Sequence, residues 1–438
     1  MTGPATIFAL ASGAGAAGVA VVRVSGPGAG AALVALTDRP LPRRRVATLR
    51  RLVDPASAET LDEALVLWMP GPASFTGEDV VELHIHGGRA VVAGVVDALG
   101  RRAGLRPAEP GEFTRRAFET GRMDLTAAEA VADLVAAETV AQRRQALRQM
   151  GGALARLYDG WRERLVRALA HVEAAIDFPD EDLPGGILGA ATGEVAALEV
   201  AIGAHLDDGG RGERLRAGVS VAIVGAPNAG KSSLLNALAG RDVAIVSARA
   251  GTTRDVIEVH LDLAGCPVIL ADTAGLRETD DEIEAEGVRR ARARAAAADL
   301  TVALFDATTA PDDATRALVG PETIVVRSKA DLGAPLGGIG GLPVSARTGA
   351  GLAELLARLT MAVTDRFAAA DQPALTRARH RSALIEARDA LARSRSARLP
   401  ELAAEDLRLA ARALGRITGR IDVEDLLDVI FRDFCIGK

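Results

Sequence analysis

Residues 1 to about 115 carry short β-branched runs, "GVAVVRV", "EALVLWM" and "DVVELHIH", separated by Gly and Pro. Runs of this length between turn residues predict strands, and the apolar stretch from Ala90 to Leu99 predicts a helix, so this region reads as an α+β domain. The opening "MTGPATIFALASGAGAAGVAVVRVSG" has no Lys or Arg before Arg23, and Gly and Ser break its apolar residues, so it reads as strand, loop, strand rather than a signal peptide. From Thr114 to about Leu206, segments such as "LTAAEAVADLVAAETVAQRRQALRQM" place apolar residues at helical spacing, with a break at "DFPDEDLPGG". The pattern changes again at "AGVSVAIVGAPNAGKSS". Through about residue 366 the apolar runs "VSVAIVG", "PVILADTAG", "LTVALFDA", "ETIVVRSKAD" and "GLPVSA" alternate with helical segments, which predicts a mostly parallel sheet in a doubly wound α/β domain. Helical spacing returns from Leu375 to Phe434. The simplest organisation of this multidomain α/β chain is a helical domain split by an inserted α/β domain, because inserted domains generally have neighbouring ends. The expected segments are 1–115, 116–216, 217–370 and 371–438.

A chain of 438 residues exceeds one hydrophobic core, which agrees with several domains. Aromatic residues make up only 3%, while alanine inflates an apolar fraction of 49%, so the helices should pack through small residues and base-stacking platforms are not expected. A net charge of -6 argues against a protein that coats nucleic acid, although a local basic patch could still hold RNA. Two cysteines without paired spacing, Cys266 and Cys435, suggest neither a disulfide framework nor a zinc ribbon and fit a reducing cytoplasm. No run of 18 or more strongly apolar residues occurs, so a soluble, cytoplasmic chain with no membrane association is expected.

"GAPNAGKS", Gly225 to Ser232, lies between an expected strand and helix, as a phosphate loop requires. Backbone N–H groups along Asn228, Ala229, Gly230, Lys231, Ser232 and Ser233 would cradle phosphates, Lys231 would neutralise them, and Ser232 would ligate Mg2+. "DTAG" (Asp272, Thr273, Ala274, Gly275) follows a strand and would bring a carboxylate near that Mg2+ and an N–H near the γ-phosphate. "GTTRD", Gly251 to Asp255, lies where a switch loop would supply a Thr hydroxyl. In "SKAD" (Ser328, Lys329, Ala330, Asp331), Asp331 can accept from N1–H and the 2-amino group of guanine, which adenine does not offer. "SAR" (Ser345, Ala346, Arg347) would hold the base edge through its backbone. Five motifs in this order predict a GTPase. Ser328 stands where such proteins usually have Asn, and its shorter side chain predicts a weaker loop-bracing bond and reduced guanine affinity. Leu276 follows "DTAG" in place of the glutamine that orients water in Ras-like proteins.

With "SFTGEDVVELHIHGG", "RPAEPGEFTRRAFETGRMDLTAAEAVADL", "AAIDFPDEDLP" and the ending "FCIGK", the chain resembles the bacterial tRNA-modification GTPase family MnmE, also called TrmE. The resemblance implies an N-terminal α+β folate-binding-like domain that forms a homodimer, a central helical domain, and an inserted doubly wound P-loop GTPase domain. It also implies an FAD-dependent partner, MnmG (GidA), in a heterotetramer or larger complex. Together they would add an aminomethyl or carboxymethylaminomethyl group at C5 of the tRNA wobble uridine, from a 5-formyl- or 5,10-methylene-tetrahydrofolate donor. By position, Asn228, Ser247, Arg249 and Thr252 match the K+ site, with Arg249 contributing only its backbone. Thr253 matches the Mg2+ threonine, and Glu284, twelve residues after Asp272, matches the glutamate that orients water. Arg23, Glu82, Arg122 and Lys438 match folate contacts, with Arg122 replacing a lysine. The loop "SGAGAAGVA" departs from the family's "PPGRGGVG". The tail would then fold back to the folate pocket as a buried, apolar C-terminus carrying Lys438 and Cys435.

Plainer readings stand beside these. Glu82, His84 and His86 share a strand face and could hold a metal or only local hydrogen bonds. Cys435 could be a catalytic thiol or a small packed residue. The basic "TRARHRSALIEARDALARSRSARL" reads first as a solvated face and second as a tRNA contact, and the acidic "DFPDEDLP" as a cap or turn. A ribosome-assembly GTPase is the competing function because it would share all five nucleotide motifs, but it would be expected to add a basic RNA-binding domain.

Overall fold

The computed structural model describes residues 5–13, 15–178, 187–245, 258–272, 293, 295–333, 340–367, 373–421, 424–432 and 434–437. They form two compact units, one from Met1–Val135, Arg148–Val195 and Asp389–Lys438, the other from Ala136–Leu147 and Ala196–Arg388.

The first unit contains a sheet of β1 (Thr6–Leu10), β2 (Ala17–Ser25), β3 (Thr48–Val53), β4 (Thr60–Met69), β5 (Val80–Gly87) and β6 (Leu105–Pro107), in the order β3-β4-β5-β2-β1-β6. Neighbours run antiparallel except β1 with β6. Strand side chains alternate between faces. Val22, Val24, Val81, Leu83 and Ile85 therefore enter one core with Leu33, Leu36, Val95 and Leu99 from helices Ala29–Thr37 and Arg89–Gly100. The intervening Arg23 and Glu82 belong to the opposite face, where they are direct cross-strand partners.

In the same unit, helix Ala153–Asp177 packs along helix Pro400–Thr418 although more than two hundred residues separate them. Ala404, Leu407, Ala410, Ala411 and Leu414 are buried there, so small side chains let the helices approach. Arg408 pairs with Glu173 and Arg420 with Asp159, each at 2.7 Å, along the exposed margins.

The second unit holds β7 (Val219–Val224), β8 (Glu258–Leu263), β9 (Cys266–Asp272), β10 (Leu300–Asp306), β11 (Ile324–Ser328) and β12 (Leu342–Pro343), in the order β12-β11-β10-β7-β9-β8. All pairs are parallel except β8 with β9. Side chains of β7 and β10 are buried on both faces, which explains their continuous apolar runs. The antiparallel β8, "EVHLDL", was not among the expected strands. Among the described residues no helix is long and apolar enough to cross a membrane.

A buried ion network ties helix Glu112–Glu119 to the first sheet. Glu112 accepts from both Arg106 Nη atoms at 2.8 and 2.6 Å, from Glu109 N at 2.9 Å and from Arg116 Nη2 at 2.9 Å. Arg116 also reaches Glu78 and the Ala5 carbonyl. Burial pushes the Glu112 carboxyl up, but Arg106, the Glu109 amide and Arg116 outweigh it and hold the group below the usual glutamate value. Its contribution is present above the unfolded glutamate pKa of about 4.3 and is lost as pH falls through the lower folded value. Glu112→Gln is expected to destabilise the protein at neutral pH by about 1.5–3 kcal/mol. Its melting temperature should also fall less steeply on acidification than that of the unaltered protein. Parallel acid profiles for the two proteins, measured by circular dichroism, would remove Glu112 from the acid response.

Candidate nucleotide site and N-terminal pocket

The loop after β7 runs directly into helix Lys231–Ala239. β7 lies between β10 and β9, and the chain crosses to β9 before returning to β10, so the β7–β10 boundary is the switch point where a parallel sheet opens a crevice at its carboxyl end. A Cβ on Gly225 would lie 2.5 Å from the Leu304 carbonyl oxygen, so no side chain fits there. Asn228 has φ 63°, a left-handed conformation that Asn tolerates. Lys231 is buried, and Nζ donates to the carbonyls of Gly225 at 2.8 Å and Ala226 at 2.9 Å, so the ammonium is held at the loop. Ser232 and Ser233 continue the first turn of that helix, at the positive end of its dipole.

Ser328 closes β11, and its hydroxyl donates to the Ala229 carbonyl at 2.5 Å. The bracing bond expected to weaken with serine is therefore present, because the strand end and phosphate loop lie close enough for the short side chain. Lys329 extends to Asp306, Nζ to Oδ2 2.6 Å, at the end of β10. Burial pushes the Asp306 carboxyl up, but Lys329 and Thr308 hold it below the usual aspartate value. Ala330 N donates to the Val344 carbonyl at 3.2 Å. Asp331 accepts from Ser345 Oγ at 2.5 Å and Arg347 Nε at 2.8 Å, and these bonds lower its pKa. Arg347 thus enters through its side chain, beyond the backbone role expected for the segment from Ser345 through Ala346.

Contacts therefore link Asn228–Ser233 with Ser328–Asp331 and Ser345–Arg347. Asp272 ends β9 in register with Ile223 of β7. Ser247, Arg249, Thr252, Thr253, Thr273, Ala274, Gly275 and Glu284 lie outside the described residues. Sequence reasoning missed Asp306, whose signal was an acid ending the run "LTVALFD".

In the first unit, Arg23 Nε and Nη2 donate to Glu82 Oε1 at 3.0 and 2.9 Å, and its guanidinium lies 5.4 Å from the Phe75 ring centre and 5.6 Å from that of Phe113. Sequence reasoning missed both aromatics, which stand inside the motifs "SFTGED" and "GEFTRRAF". His84 Nε2 lies 3.4 Å from Glu82 Oε2, while His86 Nδ1 lies 2.7 Å from Asp62 Oδ1. Arg122 is exposed, beside Gly77 of the loop that carries Phe75.

The tail seats on the same unit. Phe434 packs against Phe431, Gly111 N donates to the Cys435 carbonyl at 3.4 Å, and Gly437 lies against Leu10 and Ala11 at the end of β1. The expectation of a buried tail needs correction: Phe434 and Gly437 are buried, but Cys435 and Ile436 are exposed, Ile436 by 60%. Phe434, Gly437 and the Cys435 carbonyl anchor the tail, while the residues Cys435 and Ile436 stay open to solvent. Lys438 lies outside the described residues.

Two family models match the chain. "GTP-binding protein TrmE N-terminus" matches residues 6–122 and "MnmE helical domain" matches residues 125–435. The chain is 61% identical over 440 residues to the tRNA modification GTPase MnmE of Paramagnetospirillum magneticum, covering 99% of each chain. It is 52% identical over 464 residues to the human mitochondrial 5-taurinomethyluridine-tRNA synthase subunit GTPB3, covering 99% of this chain and 93% of that one. Among solved structures, Aquifex aeolicus Era bound to GDP and aluminium fluoride is 26% identical over 39% of this chain and 66% of that chain, at a TM-score of 0.26.

The Ser328 bond gives a direct test of the loop. Ser328→Ala leaves the Ala229 carbonyl without this donor, and a lost hydrogen bond of this kind amounts to about 1 kcal/mol, or roughly a fivefold change in equilibrium. Titration with a fluorescent GDP analogue should show about that weakening. An unchanged dissociation constant would mean that the bond does not support nucleotide binding.

Proposed function

The chain belongs to the MnmE, or TrmE, family of tRNA modification GTPases, and from that premise we propose how this GTP hydrolase serves the modification. It acts in the cytoplasm as a homodimer with an FAD-dependent partner of the MnmG (GidA) type. The pair installs an aminomethyl or carboxymethylaminomethyl group at C5 of the tRNA wobble uridine, from a 5-formyl- or 5,10-methylene-tetrahydrofolate donor. The human relative's name includes a taurinomethyluridine product, which supports chemistry of this class.

In hydrolysis, the backbone from Asn228 to Ser233 cradles the phosphates and Lys231 neutralises them. Asp331 reads guanine, with Ser328, Lys329 and Ala330 positioning it and Ser345 bracing its carboxylate. Glu284 orients the attacking water in place of the glutamine that Leu276 replaces. Ser232 and Thr253 would hold Mg2+, with Asp272, Thr273, Ala274 and Gly275 beside it. Asn228, Ser247, Thr252 and the backbone of Arg249 would hold K+. When bound, K+ offsets charge developing between the β- and γ-phosphates. The left-handed Asn228, in the same loop whose Gly225 and Ala226 carbonyls hold the Lys231 ammonium, supports this division of roles.

For the donor, the residues of the first unit suit a reduced folate. Glu82 is a carboxylate for pterin N–H donors, the half-buried Phe75 supplies aromatic surface over the buried Phe113, and Arg122 and Lys438 are cations for the glutamyl carboxylates. Arg23 holds Glu82 in place. Cys435 is assigned a direct chemical role, which its exposure permits. The observation that carries this reading is the seat of Gly437 at the end of β1, within the unit that contains Arg23 and Glu82.

Two experiments test the proposal. GTP turnover should be about tenfold or more faster in K+ than in Na+ at equal ionic strength, since charge at the transition state is what the ion offsets; equal rates would remove the K+ assignment. Mass spectrometry of wobble uridine from a deletion strain should show loss of the C5 group. Intact modification would leave the ribosome-assembly reading.

Gly437→Ala tests the tail separately. Its φ of 95° is unfavourable for alanine, and a Cβ would lie 2.3 Å from the Leu10 carbonyl oxygen, so the tail should be displaced. Calorimetry with 5-formyltetrahydrofolate should then show at least about tenfold weaker binding, for loss of contacts worth more than about 1.4 kcal/mol, while GDP affinity is retained. Full folate affinity would exclude the tail from the pocket.

A further inference from the structure

Arg347 adds a feature to the guanine reading of Asp331 proposed above, on which the following inference rests. The Asp331 carboxylate is already engaged on both oxygens. Ser345 Oγ donates to Oδ1 at 2.5 Å, while Arg347 Nε, at 2.8 Å, and Nη2 both donate to Oδ2. A carboxylate oxygen offers two lone pairs, so Oδ1 retains one site and Oδ2 retains none. Guanine presents N1–H and a 2-amino group side by side and requires one acceptor oxygen for each. The arginine edge, two N–H donors on a planar group, presents the same kind of fork.

We propose that Arg347 is a built-in competitor of guanine: its guanidinium occupies the Asp331 carboxylate that the base edge uses, and nucleotide binding exchanges one for the other. The relative exposure of the partners sets the direction of exchange. The Arg347 side chain is 72% exposed and Asp331 only 12%, so the arginine can swing into water while the carboxylate stays. The backbone around it is independently fixed. Ser345 N donates to the Ala350 carbonyl and Gly349 N to the Ser345 carbonyl, each at 2.9 Å, so release of the side chain need not open the loop. Ser345 continues to orient Oδ1 after the exchange. Arg347 thereby keeps the reading carboxylate aimed before guanine arrives, and it lowers guanine affinity according to the fraction of time that it holds Oδ2. An ion pair this exposed is weak, so the competition should tune binding by about two- to fivefold rather than block it.

The test uses full-length protein, a fluorescent GDP analogue in stopped flow, and unlabelled GDP and ADP as competitors. The unaltered protein should prefer GDP to ADP. Arg347→Ala should bind GDP about two- to fivefold more tightly, through a faster association rate with little change in dissociation. Arg347→Lys, which keeps the charge but loses the planar fork, should fall between the two. The difference between Arg347→Ala and the unaltered protein should also shrink with added salt, as the screening length falls from about 10 Å at 0.1 M to about 3 Å at 1 M. If Arg347→Ala binds GDP equally or less tightly while the unaltered protein prefers GDP, the competitor role is overturned and the guanine reading stands. If the unaltered protein binds ADP as well as GDP, the guanine reading of Asp331 falls, and the competitor with it.

Discussion

Where a chain reverses its direction of travel across a parallel sheet, the loops leaving two adjacent strands diverge and open a crevice at their carboxyl ends. β7 and β10 meet in this way, and the features of the nucleotide site follow from that constraint. The phosphate loop leaves β7, Asp306 ends β10 and Ser328 ends β11, so residues more than a hundred positions apart share one edge. The chain then closes the edge with short bonds: Ser328 to the Ala229 carbonyl, Lys329 to Asp306, and Ser345 to Asp331. Each joins a strand end or loop to its neighbour, so the loop after β7 and the segments Ser328–Asp331 and Ser345–Arg347 are positioned by one sheet.

The first unit solves a different problem with the period of two. Its antiparallel strands send Val22, Val24, Val81 and Leu83 into a core under two helices, which leaves Arg23 and Glu82 side by side on the other face. A one-residue slip between β2 and β5 would break this pair and turn apolar residues away from the core, so the register that stabilises the sheet also assembles the polar pair. Phe113 and the Glu112–Arg116 network come from one short helix, making the aromatic cover and the ion network parts of a single packing decision.

Much of this was legible because strong patterns encode it. Continuous apolar runs marked the buried parallel strands, and "GAPNAGKS" marked the loop between β7 and its helix. The misses have local causes. Helix Ala29–Thr37, "AGAALVALT", is apolar nearly all round and so lacks the one-sided pattern that identifies an amphipathic helix. The alternation in "EVHLDL" is a strand signal, but it is not one of the continuous apolar runs that mark a buried parallel sheet. Side-chain length alone does not tell whether Ser328 braces the loop, because the separation between strand end and loop decides whether its hydroxyl reaches the Ala229 carbonyl. Arg347 could not be placed from spacing, since a long exposed side chain has many directions available and only the fold shows Asp331 within its reach. The tail motif carried its association with the N-terminal region, but not the alternation of buried Phe434 and Gly437 with exposed Cys435 and Ile436.

Three of the charged groups assigned to function already have partners within the protein: Lys231 with loop carbonyls, Asp331 with Arg347, and Glu82 with Arg23. Such partners orient a charge before a ligand arrives, and they also oppose any ligand that must replace them. Exposure distinguishes the two consequences. Arg23 and Glu82 are 16% and 19% exposed and the arginine sits between aromatic rings, so separating them would strand a charge in a poorly hydrated place. That pair is suited to remain intact, with Arg23 acting through Glu82. Arg347, at 72%, can give its charge back to water, which makes its bond to Asp331 the one suited to exchange. The same arginine–carboxylate chemistry thus acts as a fixed brace in one unit and an exchangeable contact in the other, and burial decides which.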